Sequence, residues 1–266
     1  MIGSEQAIGV FDSGVGGLSI AREIRALLPG EDIVYVADTL HAPYGEKTEA
    51  FIYKRACSIV DFLLAQQVKI VVVACNTATV STIEKLRQTY SIPFVGVEPG
   101  IKPACQASKR GVVGVLATHQ TIKSPAFLAL VLRLADAGRI ELQACPGLME
   151  QVENLAFDEP DTKQLIQQYV QSLVARGVDQ LVLGCTHYAF LTDAIKTIAG
   201  PKVGIIDTAQ AVAREVIRRL TQLHLIRQGR LPGADIFFTS GSEGRVSEQF
   251  SVLWGRRVKV AKASAL

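Results

Sequence analysis

Two cysteines follow two similar apolar runs, and their placement could support proton-transfer chemistry. Cys75 ends the first run and is followed by Asn76-Thr77, and Cys185 ends the second and is followed by Thr186-His187. A single cysteine at such a place is usually a small buried hydrophobe, and Asn-Thr before a helix is usually only a cap. The repetition of the whole pattern favours two thiols that act together.

The elements that must position the thiols are buried strands. The runs at residues 70–74 and 179–184 are continuous and rich in Val, Ile and Leu, which is typical of strands covered on both faces in a parallel sheet. A helical segment follows each run. Because open α/β sheets bind ligands at the carboxyl ends of their strands, the pattern predicts one thiol from each half facing a shared cleft.

Two opposed thiols suit the inversion of a carbon centre by proton transfer. That reaction needs a base on one face and an acid on the other, and a thiolate and a thiol can exchange these parts. A free cysteine has a pKa of about 8.5, so we expect the helix N-termini after Cys75 and Cys185 to lower the pKa of both thiols. His187, Asp12 or Glu153 could add support, and the sequence leaves open which residue serves which thiol.

Three other functions remain open from the residues alone. A Cys–His hydrolase or transferase would use Cys185 as nucleophile and His187 as base, although residues two apart at a strand end rarely reach each other and Cys75 would be idle. A ligand-binding module would bury both thiols, so that alkylating agents would spare them. A pyridoxal phosphate racemase would need a Schiff-base lysine and would be coloured.

Composition and charge narrow the class of protein. The 266 residues are 48% apolar and 20% charged, which suits one large or two ordinary globular domains. A net charge of +3, without basic runs interleaved with aromatics, argues against nucleic acid as a partner. The five cysteines have neither a disulfide framework nor metal-ligand spacing. Without a signal-peptide pattern in residues 1–6 or an apolar run of spanning length, we expect a cytoplasmic protein with no membrane partner and no metal.

Strand and helix patterns alternate along the chain and predict an α/β fold of two similar doubly wound parallel-sheet domains facing a shared cleft. We place the first domain at residues 1–98 plus 208–266, with Cys75, and the second at 99–207, with Cys185. The last segment is too short for a third domain and most economically completes the first. Helices are expected at residues 18–28, 48–66, 78–90, 125–137, 148–156, 162–176, 190–199, 209–225 and 242–253.

Two loops at the same predicted sheet edge carry further candidates. The segment Asp12-Ser-Gly-Val-Gly-Gly17 follows the first strand, and its glycines would let backbone N–H groups approach an anion, although their spacing is not a dinucleotide fingerprint. Asp12 could equally cap the helix that follows. Ala42-Pro-Tyr-Gly45 follows the second strand, where local sequence indicates a simple surface turn.

Five motifs carry a family resemblance: Asp12-Ser-Gly-Val-Gly-Gly-Leu18, Ala42-Pro-Tyr-Gly45, Ala74-Cys-Asn-Thr-Ala78, Val97-Glu-Pro-Gly100 and Gly184-Cys-Thr-His-Tyr188. Together they resemble the bacterial glutamate racemases of the aspartate/glutamate racemase family, in the family's order and over about residues 7–220. The related aspartate racemases share the two-thiol plan but usually carry an acidic residue at the position of His187, which favours glutamate. The chain departs from the family pattern at Gly147 and Ala189, where we expect only local packing to differ.

The resemblance implies a cofactor-independent 1,1-proton transfer between L- and D-glutamate that supplies D-glutamate for peptidoglycan, and hence for cell-wall biogenesis and cell shape. Cys75 and Cys185 would be the two acid/base groups, with Cys185 taking the proton from L-glutamate and Cys75 from D-glutamate. Glu153 would support the site less directly. Family members are often homodimers. Some relatives are regulated by a cell-wall precursor, and the sequence leaves open whether this protein is regulated in the same way. The residues implied to bind substrate or support the thiols are Asp12, Ser13, Tyr44, Gly45, Asn76, Thr77, Thr186 and His187.

Overall fold

Two parallel β-sheets form the framework in the computed structural model, which describes residues 2–229, 232–264 and 266. The strands are β1 (Ala7–Asp12), β2 (Ile33–Ala37), β3 (Val68–Val73), β4 (Phe94–Gly96), β5 (Val112–Ala117), β6 (Arg139–Ala144), β7 (Gln180–Gly184), β8 (Gly204–Ile206), β9 (Asp235–Thr239) and β10 (Val260–Lys262). The first sheet has the order β10-β9-β2-β1-β3-β4, and the second has the order β6-β5-β7-β8. The strand pairs are parallel throughout. The predicted fold class is therefore confirmed.

The helices connect the parallel strands. They are α1 (Leu18–Leu27), α2 (Glu49–Ala65), α3 (Asn76–Thr89), α4 (Ile101–Ala107), α5 (His119–Lys123), α6 (Pro125–Arg133), α7 (Leu148–Glu153), α8 (Pro160–Ala175), α9 (Thr192–Ala199), α10 (Ala209–Gln222) and α11 (Glu243–Trp254), with short 3₁₀ turns at Tyr44–Glu46, Ala135–Ala137 and Thr186–Leu191. The helix expected over residues 125–137 ends at Arg133 and passes into one of these turns. The sequence patterns missed α4, because Pro99-Gly100 was interpreted as a break; Pro103 is tolerated there since it lies in the first helical turn.

The register of the first sheet brings polar residues to one edge. Asp12 pairs with Ala37 of β2, and Phe11 pairs with Val73 of β3. Since the carboxyl ends of parallel strands align, the residues that follow β1, β2 and β3 emerge side by side. Those residues include Asp38 and Cys75.

The second sheet repeats this arrangement. Ala117 of β5 pairs with Ala144 of β6 and with Gly184 of β7. The next residues along these strands, Thr118, Cys145 and Cys185, therefore leave the sheet at the same edge. A thiol therefore lies at the carboxyl edge of each sheet, as the sequence pattern predicts, and the second sheet carries another, Cys145.

The C-terminal strands extend the first sheet beside β2. Phe237 of β9 pairs with Tyr35, and the rings of Phe237, Phe250 and Trp254 pack edge to face at 5.2–5.4 Å between centroids. Such aromatic pairs add roughly 1 kcal/mol each beyond area burial, so they fasten α11 to this sheet. The domain boundaries at 98/99 and 207/208 stay a prediction. Within the described part of the chain, no helix combines the length and apolar character needed to cross a membrane.

Candidate active site

The two thiols lie at the carboxyl edges of the two sheets. Cys75 caps α3, and its Sγ accepts a hydrogen bond from the Ala78 backbone N–H at 3.5 Å. Cys185 precedes the 3₁₀ turn Thr186–Leu191 rather than an α-helix, and its side chain accepts no such cap hydrogen bond. Both thiols are buried, and a negative charge on Cys185 would raise the pKa of Cys75. The structure therefore brings the two candidate acid/base groups into one site.

The surroundings of Cys75 favour the neutral thiol. Burial raises the pKa of Cys75, and the nearby Asp12 carboxylate raises it further. The N–H of Ala78 and the hydroxyl of Ser13, whose Oγ lies 3.8 Å from Sγ, oppose this shift but are outweighed. The N–H at the start of α3 thus lowers the pKa of this thiol as predicted, but desolvation and a like charge exceed its effect, and the net shift is upward.

Cys185 begins a chain of polar contacts that runs to a carboxylate. Its Sγ lies 3.7 Å from Nδ1 of His187, and Nε2 of His187 lies 2.8 Å from Oε1 of Glu153. Burial disfavours the imidazolium, but contacts with Cys185 and Glu153 outweigh it and place the pKa of His187 well above its ordinary value. Burial likewise opposes ionisation of Glu153, yet His187 holds the pKa of Glu153 below its ordinary value. The contacts of His187 therefore favour an imidazolium beside Cys185. The expectation that residues two apart rarely meet at a strand end is wrong here, because the 3₁₀ turn folds the His187 ring back onto the thiol.

The glycine-rich loop after β1 binds carboxylates of the protein itself. The N–H of Gly14 donates to Asp12 at 2.7 Å, and the N–H of Val15 donates to Glu153 at 2.9 Å. A Cβ at Gly16 would lie 2.3 Å from Nδ1 of His187, and one at Gly14 would lie 2.0 Å from the Glu153 carboxylate. Glycine is required at both positions because the loop packs directly against the His187–Glu153 pair.

Asp12 is fully buried and joins the two halves of the site. Its carboxylate accepts hydrogen bonds from Ser13 at 3.2 Å and from the Thr186 hydroxyl at 2.8 Å. Burial raises the pKa of Asp12 above its ordinary value, although His187, the Gly14 N–H and the Thr186 hydroxyl favour the charged form. The alternative in which Asp12 caps the next helix is wrong, since Gly17 is the cap residue of α1 and no side chain caps that helix.

Asn76 and Thr77 lie at the start of α3, close to Cys75. The amide nitrogen of Asn76 is buried and has no hydrogen-bond partner among the residues that the structure describes. Oγ1 of Thr77 lies 2.9 Å from Oγ1 of Thr118 and 3.0 Å from Oγ1 of Thr121, which follow β5 of the other sheet. The sequence analysis missed this hydroxyl cluster, although Thr118 stands at a strand end just as Cys75 does.

Tyr44 is buried within its half-buried loop, so the expectation of a simple surface turn is wrong. The hydroxyl of Tyr44 donates to Asp38 at 2.6 Å. Burial opposes ionisation of Asp38, but two 2.9 Å hydrogen bonds from Arg55 and the one from Tyr44 hold the pKa of Asp38 below its ordinary value. A Cβ at Gly45 would lie 2.9 Å from Thr118, so this loop packs against the opposite half. No sequence motif indicates Asp38 or Arg55; the only signal for Asp38 is its position directly after β2.

Comparison with known proteins places the chain in a family. The Asp/Glu/hydantoin racemase family matches residues 16–216. The chain belongs to this family. Its sequence is 48% identical to a glutamate racemase of Methylococcus capsulatus over 254 residues, which cover 96% of this chain and 94% of that protein.

Solved structures agree with this membership. A glutamate racemase of Bacillus anthracis, isoform RacE1, has a TM-score of 0.89 and 34% identity, covering 97% of each chain. The Escherichia coli glutamate racemase, solved with L-glutamate and the activator UDP-MurNAc-Ala, has a TM-score of 0.85 and 32% identity, again covering 97% of each chain. The resemblance drawn from the five motifs is confirmed, and the protein is an isomerase of the racemase class. Within the described residues, no group of three or more His, Cys, Asp or Glu side chains is placed to hold a metal ion.

Proposed function

We propose that this racemase interconverts L- and D-glutamate by two-base proton transfer between Cys75 and Cys185, without a cofactor. The observation that carries the proposal is the unequal setting of the two buried thiols. The surroundings of Cys75 keep its proton, whereas Cys185 lies 3.7 Å from a His187 ring whose pKa is well raised. One thiol is thus set to act as an acid while the other is set to act as a base. The glutamate racemases of M. capsulatus and E. coli support glutamate as the substrate.

The start of α3 supplies donors for the substrate. An unpaired buried amide donor costs about 1–3 kcal/mol, so the orphaned Nδ2 of Asn76 is explained if it donates to a substrate carboxylate. Backbone N–H groups at a helix N-terminus favour the same charge. Thr77, Thr186 and Ser13 add hydroxyls around the two thiols. Gly45 adds backbone groups from the loop that follows β2. An amino acid zwitterion fits this set of groups.

The reaction then proceeds by two proton movements. The thiolate of Cys185 takes the α-proton of L-glutamate, and the electron pair of the broken C–H bond is left on the α-carbon. The thiol of Cys75 donates its own proton to the opposite face, which gives D-glutamate and leaves Cys75 as the thiolate. The reverse reaction uses the same groups in exchanged parts. This facial assignment follows the family resemblance. A His187 imidazolium would offset the negative charge of the Cys185 thiolate, whereas the Asp12 carboxylate disfavours the thiolate of Cys75.

We further propose that the product serves peptidoglycan synthesis in the cytoplasm. The E. coli relative was solved with UDP-MurNAc-Ala, a cell-wall precursor, which supports a place for this racemase at the supply of D-glutamate for the cell wall. Loss of the gene should then be rescued by D-glutamate in the medium. Persistent lysis despite added D-glutamate would contradict this role.

Proton exchange and thiol substitution together test the mechanism. In D2O, proton NMR should show loss of the α-proton signal together with racemisation of L-glutamate, while L-aspartate should react poorly. Cys75→Ser and Cys185→Ser should each lower racemisation by about 100-fold or more, as for the loss of a general acid or base. Cys57→Ser is the matched control, because Cys57 lies part-exposed on α2. Near-full activity in both site variants would contradict the two-thiol mechanism. Equal rates on glutamate and aspartate would contradict the proposed specificity for glutamate.

Substrates with a leaving group at the β-carbon separate the two thiols, because elimination needs only the deprotonating group. With threo-β-chloroglutamate isomers, Cys75→Ser should still eliminate from the L-configured compound and Cys185→Ser from the D-configured one. If both variants process the same isomer equally, the facial assignment fails and the general mechanism can stand.

A further inference from the structure

We propose that Gln249 is a positioning residue for racemisation, which holds Glu153 against His187 and thereby keeps the His187 ring in place beside Cys185. This inference rests on the proposed two-thiol function. Gln249 lies on α11, more than sixty positions beyond Cys185 in the sequence, and no motif of the chain includes it. It touches neither thiol, so any effect on the reaction passes through Glu153.

Gln249 contacts both the backbone and the side-chain carboxylate of Glu153. Its side-chain amide is buried and donates to the backbone carbonyl of Glu153 and, at 3.4 Å, to Oε2 of the Glu153 carboxylate. The other carboxylate oxygen, Oε1, then faces Nε2 of His187 and the N–H of Val15. One amide from α11 therefore fixes the last residue of α7 in the orientation that the His187 contact requires.

Glu153 needs such a restraint because it borders a cavity of about 390 Å³. Its side chain is 15% exposed, whereas that of His187 is only 2% exposed. Arg245 and Glu150 also line this cavity. A carboxylate that turned toward the cavity would gain water and the guanidinium of Arg245, and it would leave His187 without its acceptor. The Gln249 amide opposes that rotation.

The position of Gln249 also links the two sheets. α11 packs on the first sheet through Phe250 and Trp254, while α7 follows β6 of the second sheet. The support of the Cys185 thiol is thus completed by a helix from the half that carries Cys75. A full set of contacts around His187 therefore requires both halves to be in place.

Gln249→Met tests the proposal, since methionine has nearly the same length and cannot donate. Asn154→Ala is the matched control, because it removes a 2.8 Å hydrogen bond from Arg245 between the same two helices without touching the carboxylate. We expect Gln249→Met to lower kcat/KM about tenfold, as for loss of one hydrogen bond to a charged group. The loss must be equal for L- and D-glutamate, because two enantiomers have an equilibrium constant of one. Asn154→Ala should stay within about twofold of wild type.

The titration of His187, followed by NMR of its imidazole, distinguishes positioning from packing. Cys185, Glu153 and Asp12 are the ionisable groups that face His187. We expect the His187 midpoint to fall by about one unit in Gln249→Met, because a turned Glu153 no longer favours the imidazolium. It should be unchanged in Asn154→Ala.

Each outcome decides between the two proposals. A wild-type enzyme that fails to racemise glutamate removes the proposed function itself. A racemising wild type with an unshifted His187 midpoint in folded Gln249→Met overturns the positioning role alone, whatever the loss of stability. If Gln249→Met does not fold, Gln249→Asn replaces it, since it keeps the amide but shortens its reach and should give the same shift. Failure of both to fold would overturn the proposal in favour of a structural role.

Discussion

The hydroxyl of Thr186 donates a 2.8 Å hydrogen bond to the buried carboxylate of Asp12. Thr186 follows Cys185 at the edge of the second sheet, and Asp12 ends β1 in the first, on the strand that pairs with β3, which Cys75 follows. This bond therefore joins the two halves of the site. It also gives a buried carboxylate the donor that it needs in order to stay charged.

Replacing Thr186 with valine should weaken both folding and catalysis. The change keeps the shape of the side chain but leaves one oxygen of Asp12 without its donor, which costs about 1–3 kcal/mol of unfolding free energy. Urea denaturation measures this loss, and kcat/KM should fall about tenfold or more. Ser19→Ala is the control. The Ser19 hydroxyl donates to the backbone carbonyls of Gly16 and Thr186, and its removal should lower the free energy of unfolding by less than about 1 kcal/mol. Equal losses in the two variants would contradict a special role for the Thr186–Asp12 bond.

The contribution of the Glu153–His187 pair to stability should depend on pH. The pKa of His187 is raised above its ordinary 6.5, so its contribution is complete below about pH 6.5 and is lost as the pH rises through the raised value. The pKa of Glu153 is lowered below its ordinary 4.5, so its contribution is present above about pH 4.5 and is lost as the pH falls through the lowered value.

Glu153→Gln should therefore lose most stability between about pH 4.5 and 6.5, by about 2 kcal/mol, which is the value of a hydrogen bond to a charged group. Urea denaturation of both proteins at a series of pH values measures the difference. Cys185 and Asp12 also face His187, but both remain in the variant. A difference that grows steadily into the alkaline range would show that the pair is not an imidazolium and a carboxylate.

Asn76→Ala should separate substrate binding from stability. The variant removes a buried amide donor that has no partner among the described residues, so thermal unfolding without substrate should show no loss of stability beyond the packing of the small side chain. KM for glutamate should rise about tenfold, since one hydrogen bond to a charged carboxylate is lost. Added glutamate should stabilise the wild type more than the variant. An unchanged KM would place the substrate carboxylate elsewhere.

Arg55→Met should disturb the loop that carries Gly45. Asp38 is fully buried and Arg55 is 12% exposed, and breaking a buried pair by removing one partner costs about 3 kcal/mol. Because the Tyr44 hydroxyl depends on the same carboxylate, KM should rise more than kcat falls. Arg87→Met is the control: it breaks an exposed pair with Glu84 and should change stability by less than about 1 kcal/mol. A similar effect of both variants on KM would exclude a specific role of the Asp38 network.

The sequence by itself determined the two sheets and the thiols at their edges. Apolar runs at residues 70–74 and 179–184 leave few alternatives to buried parallel strands, and residues that follow such strands must emerge at the carboxyl edge. Motifs are also local, so Cys75, Cys185 and Asp12 could be named from the motifs alone, whereas Glu153 lies outside them and was named from the family resemblance. The addition of β9 and β10 to the first sheet could be expected in outline, because the final segment was too short to fold alone.

Only the tertiary structure decided how the two thiols differ. Both follow an apolar strand and precede a helical turn, so local sequence predicted the same effect on each. Burial beside Asp12 raises the pKa of Cys75, whereas the 3₁₀ turn after Cys185 folds His187 onto the other thiol. Gln249, Asp38 and Thr118 likewise meet the site from distant parts of the chain. Desolvation and charge act through space, so these effects depend on which residues become neighbours on folding rather than on their order in the sequence.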